Sequence, residues 1–509
     1  MSSTSRIAIA APSNHAASAG GAIAALGGSA VDAAIAAALV AMATEPGVCA
    51  IGGGGFITVW SAGQDPVTID AYMEMPGRGL PSSAFGLGYE EVAFHYGGVL
   101  TTQVGHGSVA TPGALAGLAL ASDQFGSISW ASLFEPVVDI TAKGFPLSQA
   151  SWTYLSTSGK PIFARDETGR AALFDGDELR SLGSPIVVEG LSATLSAIAE
   201  EGVDLFYRGE IADALVADMA SHGGVITRRD MTEYEPVVRQ SLMHSFMDWQ
   251  VATNPGPAIG GATLVAMLTI LDKYHYTEWS AEAVRDVVDA QRAVLGYRAS
   301  YLDEALDRVP HITRLLKLAA ESDWLRLLTS PSTIHVSATD TDGNGCAITM
   351  SAGYGSGNTI PGTGIWLNNS LGEIELNRNG FHQVPVGERL ISNMAPTLAR
   401  RRDGAVLAIG SPGADRITTA ILAVLLNVTH HDMDLAEAVR APRLHVEVTA
   451  EPMAVAYEPG LPMDLVDIET RRFDEPHMFF GGASAAMTGS DGLLSAAADP
   501  RRTGGVFVS

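Results

Sequence analysis

Residues 333–339 alternate polar and apolar side chains, which is the pattern of a β-strand that buries one apolar face. A short polar stretch containing Asp342-Gly343 follows, and Asp-Gly is the strongest short signal for a tight hairpin turn. Residues 345–351 then show the pattern of a second strand. The pattern therefore predicts a β-hairpin over residues 333–351.

Thr333 opens this hairpin, and a turn centred on Asp342-Gly343 places it opposite about residue 352, within one position of the Ser351 hydroxyl. A threonine hydroxyl is a weak nucleophile, and a free α-amino group on the same residue activates it by acting as the base. That role requires cleavage of the bond between Ser332 and Thr333. The alternative from this stretch alone is that Thr333 only begins a strand.

Apolar residues at helical spacing predict several helices elsewhere in the chain. The clearest of them cover residues 12–28, 31–44, 114–121, 130–142, 262–272 and 417–426. A strand near residues 406–409 leads into the glycine-containing turn 410–416 before the last of these helices. Such a turn leaves backbone N–H groups unpaired, and these either stabilise an oxyanion or only cap the helix. The charged, helical stretch 303–330 is the best candidate for a domain boundary.

The glycine-rich segment 47–55 precedes a predicted strand, whereas a phosphate-binding loop follows a strand and leads into a helix. This order predicts close backbone packing rather than a nucleotide site. The chain has two cysteines, Cys49 and Cys346, without the spacing of metal ligands, so we expect buried free thiols. We therefore predict no cofactor and no metal.

The chain of 509 residues has 31 Lys and Arg against 56 Asp and Glu, a formal net charge of −25. This charge disfavours nucleic acid and anionic membranes as partners. The N-terminus lacks the apolar core of a secretory signal, so we expect a cytoplasmic protein. The alanine-rich segment 30–43 is too short for a membrane span and contains Asp32, so it predicts a buried helix.

Short motifs in a fixed order cover nearly the whole chain, and together they are specific. They are GGSAVDAA (27–34), GGGGF (52–56), TPG (111–113), FYRGEIA (206–212), PAIGG (257–261), DGN (342–344), PGTGI (361–365), LNN (367–369), MAPT (394–397), GSPG (410–413), APRLH (441–445) and DPRR (499–502). On these motifs the chain resembles the gamma-glutamyl transpeptidase family of N-terminal-nucleophile hydrolases.

The resemblance implies an α/β protein with a four-layer αββα sandwich, made as a precursor that cuts itself before Thr333. The large chain, 1–332, and the small chain, 333–509, then stay together as one αββα unit. Thr333 is the nucleophile and its freed amine the base. Ser351 stands where the family has a second threonine, which orients the nucleophile. Gly413 and Ala414 occupy the family's Gly-Gly pair, whose backbone N–H groups stabilise the oxyanion.

The sequence departs from the family at the positions where gamma-glutamyl members recognise their substrate. Tyr72 stands in place of the arginine that holds the substrate α-carboxylate, and Glu373 in place of the aspartate that takes the ammonium group. Gly353 replaces an asparagine. Of the family's Ser-Ser pair, Ser392 remains and Asn393 replaces the second serine. These departures imply that gamma-glutamyl specificity is less well supported than the catalytic chemistry.

Three functions follow as hypotheses. The first is a gamma-glutamyl hydrolase or transferase that cleaves a small-molecule amide through an acyl-Thr333 intermediate. The second is a family member with another acyl group, such as an oxamate-type amidohydrolase, a β-lactam side-chain acylase or a biosynthetic carbon–carbon bond hydrolase. The third is a non-catalytic binding or assembly protein. The lost arginine favours the second over the first, unless another basic residue, with Arg78 the nearest in sequence, restores the carboxylate clamp.

Overall fold

The computed structural model describes residues 5–95, 99–321, 333–448 and 450–509. Ser332, at the predicted cleavage position, lies outside the described residues, as does the end of the boundary candidate 303–330. The helices are α1 (Asn14–Ala25), α2 (Ala30–Thr44), α3 (Ala114–Phe125), α4 (Trp130–Lys143), α5 (Gln149–Ser158), α6 (Glu167–Leu173), α7 (Leu191–Glu201), α8 (Asp204–Tyr207), α9 (Glu210–Ser221), α10 (Arg228–Glu233), α11 (Gly260–Leu271), α12 (Ala281–Tyr301), α13 (Val309–Glu321), α14 (Arg416–Thr429) and α15 (Leu435–Arg440).

The strands vary from two to seven residues. They are β1 (Ile7–Ala11), β2 (Gly54–Trp60), β3 (Val67–Ala71), β4 (Glu90–His95), β5 (Val99–Val104), β6 (Phe145–Pro146), β7 (Phe174–Asp175), β8 (Glu178–Leu179), β9 (Pro185–Ile186), β10 (Val237–Gln240), β11 (Leu242–Phe246), β12 (Trp249–Thr253), β13 (Ile334–Asp340), β14 (Gly345–Ser351), β15 (Thr397–Arg401), β16 (Val406–Gly410), β17 (Leu444–Glu447), β18 (Ala454–Tyr457), β19 (Glu469–Arg472), β20 (Ser484–Thr488), β21 (Leu494–Ala498) and β22 (Gly505–Val508).

Two antiparallel sheets contain most of these strands. The first sheet has the order β10-β3-β2-β14-β13-β1-β22, and the second has the order β11-β12-β15-β16-β20-β21. The hairpin β13–β14 lies in the middle of the first sheet, which confirms the predicted hairpin. Each sheet contains strands from both sides of residue 333, so the two halves of the sequence build the sheets together.

Strand β13 is buried on both faces because it lies between helices and the second sheet. Its apolar residues Ile334, Val336 and Ala338 belong to the core that includes the helices of the N-terminal region, as the alternation predicts. On the other face, the Ser337 hydroxyl donates a hydrogen bond of 3.0 Å to the carbonyl oxygen of Ser484 in β20. The first sheet therefore meets the second sheet along the polar face of β13.

Two apolar clusters cover the faces of the sheets that point away from each other. The first cluster joins Ile9 of β1 to Leu39 of α2. The second joins Leu407 of β16 to Leu268 of α11 and Leu422 of α14. The fold is thus an α/β arrangement of two antiparallel sheets, each of which packs against helices.

Helix α2 is buried along its whole length, as predicted for the alanine-rich segment. It begins at Ala30 because the Ser29 hydroxyl accepts a hydrogen bond from the Asp32 amide while the Asp32 carboxylate accepts one from the Ser29 amide. Within the described residues, no helix is long and apolar enough to cross a membrane. Cys49 and Cys346 are buried free thiols, as expected.

Candidate active site

The hairpin register brings the two predicted catalytic hydroxyls to the same end of the hairpin. Ile334 pairs with Met350, and continuing this register by one residue sets Thr333 opposite Ser351. The predicted turn placed Thr333 opposite about residue 352, which differs by one residue from this register. The pairing starts from a loop in which the Asp340 carboxylate accepts hydrogen bonds from the amides of Asp342 and Asn344, at 3.0 and 2.9 Å.

Gly353 connects Ser351 to the predicted substrate-binding residues. Its amide donates a hydrogen bond of 2.9 Å to the Ser351 hydroxyl oxygen. Its φ angle is +60°, and a Cβ atom there would lie 2.3 Å from Asn369 Oδ1 and 2.9 Å from Glu373 Oε1. An asparagine side chain therefore does not fit at position 353 without movement of these neighbours, and the carboxyl group of Glu373 lies against the turn that follows Ser351.

Thr333 is buried, with 2% of its surface exposed, and it lines a small cavity of about 30 Å³. Glu45, Pro412 and Arg502 line the same cavity. A neighbouring cavity of about 110 Å³ also reaches Arg502. The predicted nucleophile thus lines the same cavity as Pro412, the residue that precedes the predicted oxyanion pair.

The turn that contains Gly413 and Ala414 has an unusual backbone conformation, with φ angles of +120° and +66°. The amide of Arg416 donates to the carbonyl oxygen of Gly413 at 3.0 Å, so the turn leads directly into α14. Within the described residues, neither the Gly413 nor the Ala414 amide donates a hydrogen bond to a protein acceptor. Both N–H groups are therefore free to bind an oxygen of a reacting group.

Asn393 lies next to this turn. Its side-chain amide donates a hydrogen bond of 3.2 Å to the Asp415 carboxylate, and the same carboxylate is 2.7 Å from Arg298 Nη2. Asn393 therefore contacts the start of α14, adjacent to the predicted oxyanion pair. Its Oδ1 atom is buried and has no hydrogen-bond partner in the part of the chain that the structure describes.

Tyr72 lies in an apolar pocket, 2% exposed, with its ring stacked on Phe56 at 5.5 Å between ring centres. Burial raises the pKa of the phenol, and the nearby Glu373 carboxyl raises it further. The Ser392 hydroxyl and the Arg308 guanidinium oppose this rise. Tyr72, Glu373 and Ser392, three of the predicted substrate-binding residues, are thus neighbours, and an arginine that the sequence analysis did not select accompanies them.

Glu373 is held in an environment that favours its uncharged form. It is 1% exposed, and burial raises the pKa of its carboxyl group well above the usual value, with the nearby Glu375 carboxyl adding to the effect. A hydrogen bond with the Ser370 side chain lowers the pKa of Glu373 and opposes part of this rise. A protonated Glu373 attracts an ammonium group less strongly than a carboxylate does.

Comparison with known proteins shows what kind of enzyme this geometry belongs to. A family model described as gamma-glutamyltranspeptidase matches residues 16–509. The chain belongs to the gamma-glutamyltranspeptidase family. It is therefore an enzyme of the gamma-glutamyltransferase type, a hydrolase or acyltransferase.

Individual relatives agree with this membership. The chain is 28% identical to a glutathione hydrolase proenzyme of Escherichia coli (strain K12), over 93% of this chain and 87% of the relative. It is 30% identical to the acylase ACY 1 proenzyme of Pseudomonas sp. (strain SE83), over 96% and 92%. The crystal structure of a cephalosporin acylase from Bacillus halodurans has the same fold, with a TM-score of 0.78, 22% identity and coverage of 99% and 96%.

Arg78, the basic residue nearest in sequence to Tyr72, does not restore the carboxylate clamp of the family. Its guanidinium group lies 3.0 Å from Glu74, 3.2 Å from Asp230 and 3.3 Å from Glu233. These three carboxylates already neutralise it. Arg78 therefore belongs to an ion-pair cluster rather than to the surroundings of Tyr72.

Glu45 was not predicted as a site residue, although it lines the cavity of Thr333. Burial raises the pKa of its carboxyl group to about 7, against the opposing effect of Ser148, Ser151 and Ser13. The Ser151 hydroxyl donates to Glu45 Oε2 at 3.0 Å. Its position two residues before the glycine-rich segment 47–55 is the one signal in the sequence that indicates it.

One group of possible metal ligands occurs in the described part of the chain, although the sequence analysis predicted no metal site. His106, Asp218 and His222 each offer a ligand atom, and these atoms lie within 4.8 Å of one another. The Asp218 carboxylate is 2.9 Å from His106 Nε2 and 3.0 Å from His222 Nδ1. These ion-pair contacts account for the grouping without an ion.

Proposed function

We propose that this chain is a self-cleaving precursor and that Thr333, freed as the first residue of the small chain, is the nucleophile of an amide hydrolase or acyltransferase. The large chain is 1–332 and the small chain 333–509, and the two remain one four-layer αββα unit. The observation that carries the proposal is the hairpin register: Ile334 pairs with Met350, and its extension by one residue supports a pairing of Thr333 with Ser351. The two facing sheets with helices outside them support the layered arrangement.

Maturation and catalysis use the same hydroxyl. In maturation, the Thr333 oxygen attacks the carbonyl carbon of Ser332, the bond to the Thr333 nitrogen breaks, and an ester forms. Water hydrolyses this ester, which leaves a carboxylate on Ser332 and a free amine on Thr333. That amine then takes the proton of the hydroxyl as it attacks the substrate amide, and it passes the proton to the leaving amine. Water or an acceptor amine finally cleaves the acyl-Thr333 ester.

The residues around Thr333 supply the other parts of this mechanism. Ser351 orients the nucleophile through its hydroxyl. The N–H groups of Gly413 and Ala414 stabilise the negative oxygen of the tetrahedral intermediate, which removes part of the barrier. Their position next to Pro412, which shares a cavity with Thr333, supports this role.

The substrate we propose is an amide of a small acid, with an acyl group other than gamma-glutamyl. Two observations favour this over a gamma-glutamyl substrate. A buried tyrosine, Tyr72, occupies the position of the family's carboxylate-binding arginine. Burial also favours the uncharged form of Glu373, which stands at the ammonium-binding position. Gly353, Ser392 and Asn393 complete the proposed substrate-binding set.

A substrate panel tests this proposal. Purified, matured protein is incubated with gamma-glutamyl, oxamyl, dicarboxylic and aliphatic acyl p-nitroanilides, and the products are identified by mass. We expect hydrolysis of at least one amide and weaker activity on the gamma-glutamyl compound. A preference for the gamma-glutamyl compound would contradict the altered specificity. A matured protein that cleaves no amide would favour the carbon–carbon hydrolase or the binding protein instead.

A further inference from the structure

The buried arginines of the described chain fall into two classes. Five arginines are buried, and four of them lie within 4 Å of carboxylate oxygens. The paired arginines are Arg298 with Asp303 and Asp415, Arg389 with Asp70 and Glu74, Arg443 with Asp499, and Arg501 with Glu458 and Asp499. The fifth, Arg308, has no carboxylate within this distance among the described residues.

Arg308 is left with few polar contacts although it is 94% buried, with 6% of its surface exposed. Its Nη1 donates a long hydrogen bond of 3.4 Å to the carbonyl oxygen of Arg389. Its Nε is buried and has no hydrogen-bond partner among the described residues. Of the nearby acids, Asp303 is already paired with Arg298, and the exposed Glu388 lies beyond ion-pair distance.

A buried cation without a counter-ion is unfavourable because it has lost its hydration without gaining a partner. Burial accordingly lowers the pKa of Arg308. The four paired arginines show that this fold supplies carboxylates to guanidinium groups elsewhere. The missing counter-ion at Arg308 is thus a local property of its site.

The backbone around Arg308 places it beside the proposed acyl-binding residues. The carbonyl that accepts its hydrogen bond belongs to Arg389, and the next residue, Leu390, donates its amide to the carbonyl oxygen of Met73 at 3.0 Å. Met73 follows Tyr72, and Ser392 lies two residues after Leu390. Arg308 therefore lies where the segment that carries Tyr72 contacts the segment that carries Ser392.

We propose that Arg308 is the counter-ion of the substrate, and that it binds a carboxylate at the far end of the acyl group while Tyr72 borders the same site. This inference rests on the proposed function, because it specifies the acyl group that Thr333 transfers. In this proposal the positive charge that binds the substrate is supplied by Arg308, just before α13. In the family it is supplied by an arginine at the position of Tyr72. The substrate class is thus amides of small dicarboxylic acids.

The first test compares two substrates that differ in one charge. Glutaryl-p-nitroanilide carries a terminal carboxylate, and pentanoyl-p-nitroanilide has the same number of acyl carbons without one. We expect wild type to prefer the glutaryl compound. Arg308→Met should lower kcat/KM on it by about thirtyfold or more, mainly through KM, and leave the pentanoyl compound nearly unchanged. Arg308→Lys keeps the charge and should retain part of the preference.

The matched control is Arg314→Met, because Arg314 is an exposed arginine on the neighbouring helix α13. This variant should behave as wild type on both substrates. Equal losses on both substrates in Arg308→Met, or no loss on either, would overturn the proposal. Arg308→Lys keeps the comparison available if the methionine variant fails to fold.

The second test needs no catalysis, so it separates this inference from the proposed function. Glutarate should raise the melting temperature of wild type and leave that of Arg308→Met unchanged, whereas pentanoate should affect neither. Without ligand, Arg308→Met should be at least as stable as wild type, since it removes an unpaired buried charge. A clear loss of stability would assign Arg308 a structural role. The absence of a glutarate shift in wild type would overturn the inference, whether or not the protein cleaves amides.

Discussion

Two neighbouring regions of this molecule differ in how they relate to the family. The proposed catalytic region, defined as Thr333, Ser351, Gly413 and Ala414, has the hydroxyls and backbone amides that the proposed mechanism uses. The recognition region, defined as Tyr72, Gly353, Glu373, Ser392, Asn393 and Arg308, differs at most of the corresponding positions. This difference predicts that the reaction and the choice of substrate are set by separate parts of the fold, and the experiments below test that prediction.

The two regions also differ in their electrostatics. The proposed catalytic region is built from hydroxyls and N–H groups that carry no charge. The proposed recognition region buries a carboxyl group, Glu373, and a guanidinium group, Arg308, and Glu373 is not among the groups that act on the pKa of Arg308. Buried ionisable groups of this kind discriminate strongly between substrates, because each charge mismatch leaves a group without its partner.

The largest effect is expected at Thr333. Thr333→Ala should remain a single chain on a denaturing gel and should have no measurable amidase activity, because both maturation and turnover need the hydroxyl. Wild type should run as two chains, and mass spectrometry should place the division between Ser332 and Thr333. Full activity in an uncut protein would refute the assignment of the catalytic region.

Ser351 offers the next largest effect within the same region. Ser351→Ala should slow both self-cleavage and turnover, since one hydrogen bond to the reacting centre typically accounts for about tenfold to a thousandfold in rate. The rate of self-cleavage is measured from samples quenched at successive times and separated on denaturing gels. The turnover rate is measured by steady-state kinetics. Ser351→Thr restores the family's residue and is the matched control, which should retain activity. Unchanged rates in the alanine variant would show that the hydroxyl does not act on Thr333.

The hairpin that leads from Thr333 to Ser351 could be predicted from the sequence because its geometry is local. An alternating strand, an Asp-Gly turn and a second strand determine a hairpin register to within one residue, so Thr333 and Ser351 could be paired in advance. The predicted ends of α2 and α14 are also within a few residues of those observed. Apolar spacing and capping residues determine these boundaries without distant contacts.

The recognition region could be predicted only in part because it is assembled from distant segments. The family motifs indicated Tyr72 and Glu373 as departures. Nothing near position 308 in the sequence shows that its arginine lies beside Tyr72, more than two hundred residues earlier. Proximity in sequence suggested Arg78 instead, whose carboxylate partners include Asp230 from a different helix. Which charged side chains pair with each other depends on the tertiary structure, so it cannot be predicted from composition or periodicity.

Glu45 lies outside the catalytic region as defined but lines the cavity of Thr333, so it tests whether a buried charge borders that region. Because its folded pKa of about 7 exceeds the ordinary 4.5, the folded protein binds the extra proton between these values, and stability falls as pH rises from about 4.5 to 7. The shift corresponds to about 3 kcal/mol. Glu45→Gln should remove most of this fall when urea unfolding is measured on the uncut Thr333→Ala chain.

The exposed residue Glu200 supplies the control for this measurement, because Glu200→Gln removes a carboxyl group that solvent reaches. Its stability should follow the same pH dependence as the parent chain. If Glu45→Gln also follows the parent chain, the carboxyl group is ionised normally in the folded protein and the cavity of Thr333 is more polar than its lining suggests.

Glu373 tests the recognition region through the ammonium group of a substrate. The ratio of kcat/KM for gamma-glutamyl over glutaryl p-nitroanilide should rise with pH, because Glu373 loses its proton and then attracts the ammonium group. We expect about a tenfold change, the size of one charge-assisted hydrogen bond. Glu373→Gln should make the ratio independent of pH apart from titration of the substrate amine itself, which is measured separately. A rising ratio in the variant would assign the effect to another group.

The smallest effect is expected at Ala414, which by the resemblance stands at the second glycine of the family's Gly-Gly pair. Its φ of +66° is left-handed, a conformation that costs a residue with a Cβ atom roughly 1 kcal/mol and costs glycine little. Ala414→Gly should therefore stabilise the uncut Thr333→Ala chain by up to about 1 kcal/mol in urea unfolding, offset in part by the greater freedom of glycine in the unfolded chain. In the chain that retains Thr333, kcat should stay within about twofold of wild type, because the backbone N–H does the catalytic work. A large change in kcat would mean that the methyl group of Ala414 shapes the site, and the catalytic region would then share in setting specificity.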